Sequence, residues 1–391
     1  MHLRFLTAGE SHGPALTTIL EGLPAGVPVD KPAIDRELKR RMGGHGRGGR
    51  MTIESDEVEI LGGTRFGRSL GSPIALLIRN RDFDNWKDVM APQGTPSGEA
   101  SARAITRPRP GHADLAGALK FGTYDARDVV ERASARETAA RTAAGAVAKA
   151  FLGELGVVVT SRTVAVGGVE AGSDEGDDFD ALLALPDDAP MRSTRAATVE
   201  AMIAVVDDAR RRADTVGGAF EVLARGLPPG IGSHVHWDRR LDSRLGGVIL
   251  SIQAVKGVSI GDGIQIAGGG GREAHDAIGY DASTRRFTRK TNHAGGIEGG
   301  MSNGEIVRIR AYLKPLATIP NALPSVDLVT KEQRAADVER TDTVPIVAAG
   351  VVGEAVCALV LADAMLEKFG GDSVRETRAN VDAYMKRLRE Y

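Results

Sequence analysis

Apolar positions recur along this chain at two spacings, and stretches of the two kinds alternate. In TVEAMIAVVDDARRRADTVGG (198–218), Val199, Met202, Ile203 and Val206 fall on one stripe with Arg210 to Arg212 opposite, which predicts an amphipathic helix. VDKPAIDRELKRRMGG (29–44) predicts another, with Asp30 as N-cap, Pro32 in the first turn, cations at the end and Gly43 as the stop. The alanine-rich ARETAARTAAGAVAKAFLGELG (135–156) is helical over several turns and ends at Gly156. GEIVRIRAYLKPLATIP (304–320) changes period: Val307, Ile309, Ala311 and Leu313 alternate with Ile306, Arg308, Arg310 and Tyr312, a half-buried strand stopped by Pro315.

Two further stretches bound the fold. VPIVAAGVVGEAVCALVLADAML (344–366) is apolar for most of the length a bilayer needs, but Glu354 interrupts it and Asp363 follows closely. A helix apolar all round belongs inside a large fold, so this one is expected between layers, with Cys357 an inert core thiol. AGSDEGDDFDALLALPDDAP (171–190) is the best candidate for a surface excursion. No short fixed repeat is present.

Composition adds little except glycine. The 391 residues are 42% apolar and 26% charged, an ordinary globular balance with room for one large α/β unit or two domains. Lys+Arg number 50 against Asp+Glu 52, so the total charge announces neither nucleic acid nor an anionic membrane, and any basic site must be local. A single cysteine suits a reducing compartment, and the start MHLRFLTAGESHG has no long apolar h-region, so a cytoplasmic protein is expected. The 49 glycines cluster in RMGGHGRGGRM, IGDGIQIAGGGGREA and NHAGGIEGGMSNGE, loops with little bulk that let backbone N–H groups approach a phosphate or a flat ring. None is a P-loop or a clean G-x-G-x-x-G.

The local basic sites are three. Arg40, Arg41, Arg47 and Arg50 surround the first glycine loop; Arg107 and Arg109 sit stiffly before prolines in TRPRPGHAD; Arg132, Ser134 and Arg136 cluster near a helix start in ERASARETAAR. Arginine's fork matches carboxylate and phosphate, so three clusters in a neutral chain point to a small polyanion. His12 and His112 lie in glycine-flanked loops beside hydroxyl or cationic neighbours, where an imidazole is tuned as an acid or base. Metal-ligand spacings do not recur, so no metal is expected, and GESHG lacks the elbow of a Ser11-centred hydrolase. GHGRGGR resembles an arginine–glycine RNA-binding segment, but it is short and without aromatics, so no nucleic-acid partner is expected.

Seven blocks taken together, GESHGPAL, TRPRPGHAD, ERASARETAARTAAGAVAK, QAVKGVSIG, NHAGGIEGGMSNGEIV, KPLATIP and ERTDTVPIVAAGVVGEAVCALVLADAML, resemble the chorismate synthase family in content and order. The resemblance implies a β-α-β-α sandwich, helices packed between antiparallel sheets, as one domain over 1–391 that assembles as a homotetramer. It implies anti-1,4-elimination of phosphate from 5-enolpyruvylshikimate 3-phosphate, with reduced FMN used without net redox change. NADPH is left open as the flavin's reductant, and no membrane partner is implied.

By the same resemblance, His112 would be the acid near the departing phosphate, His12 would protonate the reduced flavin, and Asp342 would assist deprotonation at flavin N5. Arg41, Arg47, Arg109 and Arg136 would clamp the substrate's anionic groups, or in the 41–47 loop NADPH, with Ser11 and Ser134 hydrogen-bonding within the site. Arg132, Ala133 and Ser134, Gln253 and Ala254, Gly299, the run Lys314, Pro315, Leu316, Ala317 and Thr318, and Arg340 match flavin-contacting positions. Ala317 stands where relatives carry a hydroxyl, leaving Thr318 to supply it. The glycine loops at 43–49 and 266–272, nearly free of apolar surface, are expected to order only over bound ligand.

Overall fold

The computed structural model describes residues 3–48, 55–95, 98–172 and 179–391. Arg50 and Gly49 of the first glycine loop, and residues 173–178 of the acidic stretch, lie outside the described residues.

Two antiparallel sheets enclose a central layer of helices. The first contains β1 (Arg4–Ala8), β2 (Ala15–Glu21), β3 (Val58–Gly62) and β4 (Ile74–Arg79) in the order β1-β2-β4-β3. The second contains β5 (Val158–Val166), β6 (Val169–Glu170), β7 (Gly218–Arg225), β8 (Val255–Ile260) and β9 (Val307–Leu313) in the order β8-β9-β7-β5-β6. Strand β9 buries Val307, Ile309, Ala311 and Leu313, the predicted alternation.

Helix α1 (Lys31–Met42) is capped as expected, the Asp30 side chain accepting from Ala33 N at 3.1 Å. The short helices α2 (Asp114–Phe121) and α3 (Arg127–Ala133) precede α4 (Thr138–Glu154), the alanine-rich segment. Then follow α5 (Ala196–Arg211), which buries Met202 and Val206 of the predicted stripe, α6 (Leu241–Leu250), α7 (Ile346–Phe369) and α8 (Val374–Glu390).

Helix α4 packs on the first sheet, α7 on the second, and the two on each other. Their contact is close because it is built from small residues: a Cβ at Gly145 would stand 2.3 Å from the Ala355 Cβ. The bilayer-length apolar segment is therefore the central core helix; its most apolar 18-residue window has mean hydropathy 2.0 and is 94% buried. Cys357 is fully buried there, and burial pushes its thiol well above the ordinary value.

Glu354, in the same helix, is also fully buried. It accepts from Arg40 Nη1 and Nη2 at 2.9 and 2.8 Å, Lys149 Nζ at 2.7 Å and Ser161 Oγ at 2.7 Å. Arg40 thus leaves the basic cluster to which its neighbours assign it and becomes a core residue. Helical geometry explains the split, since adjacent residues point about 100° apart.

One expectation is corrected. Residues 179–190 are not an excursion: Phe179 and Leu182, one turn apart on a short helix, are buried with Leu223 on the second sheet's far face. That gives the fourth layer. The first glycine loop makes backbone contacts: His45 N donates to Pro190 O and Thr343 N to Gly46 O, each at 2.8 Å.

Candidate functional site

One cleft, with a cavity volume of about 540 Å³, opens where the first turns of α7 meet loops from both halves of the chain. Its apolar floor includes Ile252, Leu313, Ala348, Ala349 and Val352. Its walls carry six cationic side chains, Arg41, Arg47, Arg109, Arg136, Lys314 and Arg340, against three carboxylates, Glu131, Glu339 and Asp342, so it favours an anionic ligand.

Each arginine is aimed by a carboxylate or hydroxyl behind it. Arg41 donates from Nε to Thr138 Oγ1 at 2.9 Å and from Nη1 to Asp56 Oδ2 at 3.2 Å; Arg136 donates from Nε to Asn80 Oδ1 at 2.9 Å and also pairs with Asp56. One buried aspartate thus sits between the two guanidiniums and orients both. Arg47 Nη1 and Gly48 N donate to the two oxygens of Asp342, each at 2.6 Å. Gly48 is required by proximity, since a Cβ there would stand 2.3 Å from Thr341 O. Arg340 donates to Asp82 at 2.6 Å.

The TRPRPGHAD loop converges on Asp114 at the start of α2. This carboxylate, fully buried, accepts from Arg109 N, Nε and Nη2 at 3.0, 2.8 and 3.0 Å and from His112 Nδ1. Burial alone would raise its carboxyl, but hydrogen bonds from His112 and Arg109 and their charges hold it well below the ordinary carboxylate value. Arg109 Nη1 donates to Thr318 Oγ1 at 2.8 Å, which orients that hydroxyl and leaves its own O–H to donate.

His12 is held in the same manner by Glu131 of α3, which accepts from His12 Nδ1 at 2.9 and 3.1 Å. With each Nδ1 on a carboxylate, Nε2 is the ring nitrogen left for chemistry. Ser134 Oγ donates to Ser11 Oγ at 3.1 Å. Lys314 makes no ion pair among the described residues; burial, and then the Lys256 charge, push its ammonium below the ordinary value.

The cleft therefore unites Ser11, His12, Arg41, Arg47, Arg109, His112, Ala133, Ser134, Arg136, Gln253, Ala254, Lys314, Leu316, Ala317, Thr318, Arg340 and Asp342. It does not reach five other places. Arg132 turns away to hold Gly9 O and Thr7 O at 2.9 Å. Arg107 pairs with Asp337 on the surface. Pro315 lies beside Gly217, and Gly299 sits in the hairpin turn between Ile297–Glu298 and Met301–Ser302. The 266–272 loop, expected as a lid, forms two exposed helical turns off the cleft's lining, because its glycines meet no partner surface.

Sequence reasoning missed the anchors Asp56, Asp114 and Glu131. Asp114 had a signal in its place two residues after His112; Asp56 had none. Among the described residues no group of three His, Cys, Asp or Glu side chains is set to hold a metal.

A family model described as chorismate synthase matches residues 3–366. The chain belongs to the chorismate synthase family. Curated chorismate synthases of Solibacter usitatus and Micrococcus luteus are 51% and 53% identical over 389 and 392 aligned residues, covering 100% and 98% of this chain and 100% and 94% of theirs. A chorismate synthase crystal structure superimposes with a TM-score of 0.79 at 38% identity, covering 100% of this chain and 99% of the other, and it shares the sandwich of helices between antiparallel sheets. The activity is that of the family: elimination of phosphate from 5-enolpyruvylshikimate 3-phosphate to give chorismate, the last step of the shikimate pathway to aromatic amino acids. The enzyme is a carbon–oxygen lyase acting on a phosphate ester, and its substrate is a small molecule.

Proposed function

We propose that this cleft binds the substrate and reduced FMN together, with Arg41, Arg47, Arg109 and Arg136 clamping the substrate's phosphate and carboxylates. The observation that carries the reading is the paired arrangement of His12 and His112, each tied through Nδ1 to a buried carboxylate within a ring of arginines. His112 shares Asp114 with Arg109, so a phosphate drawn to Arg109 meets a proton donor at His112. His12 holds a second proton, and Asp342 holds Arg47 and accepts a proton from the ligand pair.

The residues present fit a flavin. Small side chains at Ala133, Ala254 and Ala317 leave a flat slot, and Gln253 Oε1, buried without a protein partner among the described residues, is an acceptor for a ring N–H. Ala254 adopts a left-handed backbone with φ of 68°, strain of the kind that collects at ligand sites. Ser134, Lys314, Leu316, Thr318 and Arg340 complete the flavin's surroundings. Bound there, reduced FMN supplies an electron transiently to expel phosphate, with no net oxidation.

The chain then works as one domain over 1–391 in the cytoplasm, without nucleic-acid, membrane or metal partners. A homotetramer is supported by exposed Leu6, Ile19 and Leu61 on the first sheet, apolar surface suited to a second copy. Arg132, Pro315 and Gly299 would touch flavin only through backbone or a neighbouring copy.

Anaerobic phosphate release from the substrate tests the whole reading. Chemically reduced FMN is expected to support turnover alone; oxidised FMN with NADPH supports it only if the chain reduces its own flavin. No release with reduced FMN refutes the reading.

A further inference from the structure

His12 is gripped on more than one side. Its backbone N donates to Glu131 Oε2 at 2.7 Å, and its ring Nδ1 reaches both oxygens of that carboxylate. The ring lies flat on Trp86, with centroids 4.0 Å apart and planes 21° apart. The Arg103 and Arg127 guanidinium carbons stand 4.5 and 5.2 Å from the same indole, and Arg127 Nη1 also reaches Glu131 Oε1 at 3.4 Å. Glu131 and Trp86 are 1% and 8% exposed, so neither is a surface accident.

We propose that Glu131 and Trp86 are positioning residues for His12: they fix the imidazole as the Nδ1–H tautomer and present Nε2 alone to the cleft. This rests on the reading of His12 as a proton carrier.

An ionised carboxylate only accepts, so a ring nitrogen against two carboxylate oxygens keeps its proton whether the imidazole is neutral or charged. Every proton His12 gains or loses then passes through Nε2. Stacking fixes the second degree of freedom, because rotating the ring off the indole would also break the Glu131 contact. Glu131 stays ionised: burial would raise its carboxyl, but the His12 hydrogen bonds and charge, then Arg127, hold it below the ordinary value. The charged groups facing His12 are Glu131 and Arg127 from α3 and Asp82 from the turn 81–85, the last tied to Arg340. Of these, only Glu131 hydrogen-bonds the imidazole.

The test uses the full-length protein labelled with ¹⁵N-histidine, His12 being assigned from the resonance missing in His12→Gln. The wild-type ring, titrated from its charged to its neutral form, is expected to show the Nδ1–H shift pattern when neutral. Glu131→Gln, isosteric but able to donate, is expected to lose that preference and to cut kcat by about 10²-fold or more while the substrate KM stays within about threefold. Glu131→Asp is expected to keep the tautomer. Trp86→Phe keeps kcat, whereas Trp86→Ala lowers it about tenfold with the tautomer retained, and the Trp86 pair carries the test if the Glu131 variants fold poorly.

A Glu131→Gln protein with an unchanged tautomer, or with wild-type kcat, overturns the proposal for Glu131; wild-type kcat in Trp86→Ala overturns it for Trp86. Full turnover by His12→Ala would instead refute His12 as a proton carrier and leave the tautomer measurement to judge the grip.

Discussion

Removing the fully buried Glu354 carboxylate of α7 should cost several kcal/mol of stability. Glu354 accepts from two guanidinium nitrogens of Arg40, the Lys149 ammonium and the Ser161 hydroxyl, at 2.7 to 2.9 Å and with no exposure. In Glu354→Leu, Arg40 and Lys149 keep Glu37, which touches both but whose side chain is 15% exposed, and Arg40 keeps a longer contact of 3.7 Å with Asp187 at the surface. Breaking a buried pair by removing one partner costs about 3–5 kcal/mol, the uncompensated charge being the larger part. At roughly 2 °C per kcal/mol for a chain this long, Tm should fall by roughly 6–10 °C.

Equilibrium urea unfolding of the wild type, Glu354→Leu and the triple variant Arg40→Met, Lys149→Met, Glu354→Leu separates charge from volume. The triple variant should recover part of the loss, since the buried cations leave with their anion and only the partly exposed Glu37 loses its partners. pH gives an independent check. Burial would raise the Glu354 carboxyl, but Lys149 and Arg40 hold it far below its ordinary value. Its contribution is therefore full above about pH 4.3, the unfolded value, and fades as pH falls below it. The gap between wild type and Glu354→Gln should narrow in that acid range. Glu354→Leu as stable as the wild type at pH 7 would refute the reasoning.

Asp114→Asn turns one accepting oxygen into a donor facing Arg109 or His112, and turnover should fall by about 10²–10⁴ with the circular dichroism spectrum retained. Arg47→Ala removes charge-assisted contacts worth about 1.5–3 kcal/mol each, so calorimetry should show substrate affinity weakened about tenfold or more; unchanged affinity would remove Arg47 from the site. Gly48→Ala forces its Cβ against Thr341 O, 2.3 Å away, so it should shift Arg47 and Asp342 together and lower both substrate affinity and kcat.

The local elements were legible because their determinants are local: the Asp30 cap, the α5 stripe and the β9 alternation each sit within a few residues of what they specify. The arginines and histidines of the cleft were legible too, through short motifs. What aims them was not. Glu131 is 119 residues from His12, and Asp56 is 80 from Arg136, pairings that only the tertiary fold creates. Side-chain direction was the other blind spot. Arg40 and Arg41 are neighbours, yet one enters the core and the other the cleft; Arg107 and Arg109 flank a proline, yet only Arg109 points inward. Low bulk serves close packing as readily as mobility, and the approach of Gly48 to Thr341 is a contact that only the fold creates.

The position of α7 late in the sequence has a consequence for synthesis. Both sheets and α4 are complete by residue 313, but the helix that fills the space between them begins only at residue 346. A growing chain must carry the inner faces of Phe220 and Val222 uncovered until that helix leaves the ribosome. Pairing it with partners near residues 40, 149 and 161 is slow, long-range work, and an apolar surface left waiting is prone to aggregate. A message cut short before codon 346 would thus yield an aggregating fragment rather than a smaller working enzyme, and holdase chaperones should act on this nascent protein mainly between residues 313 and 369.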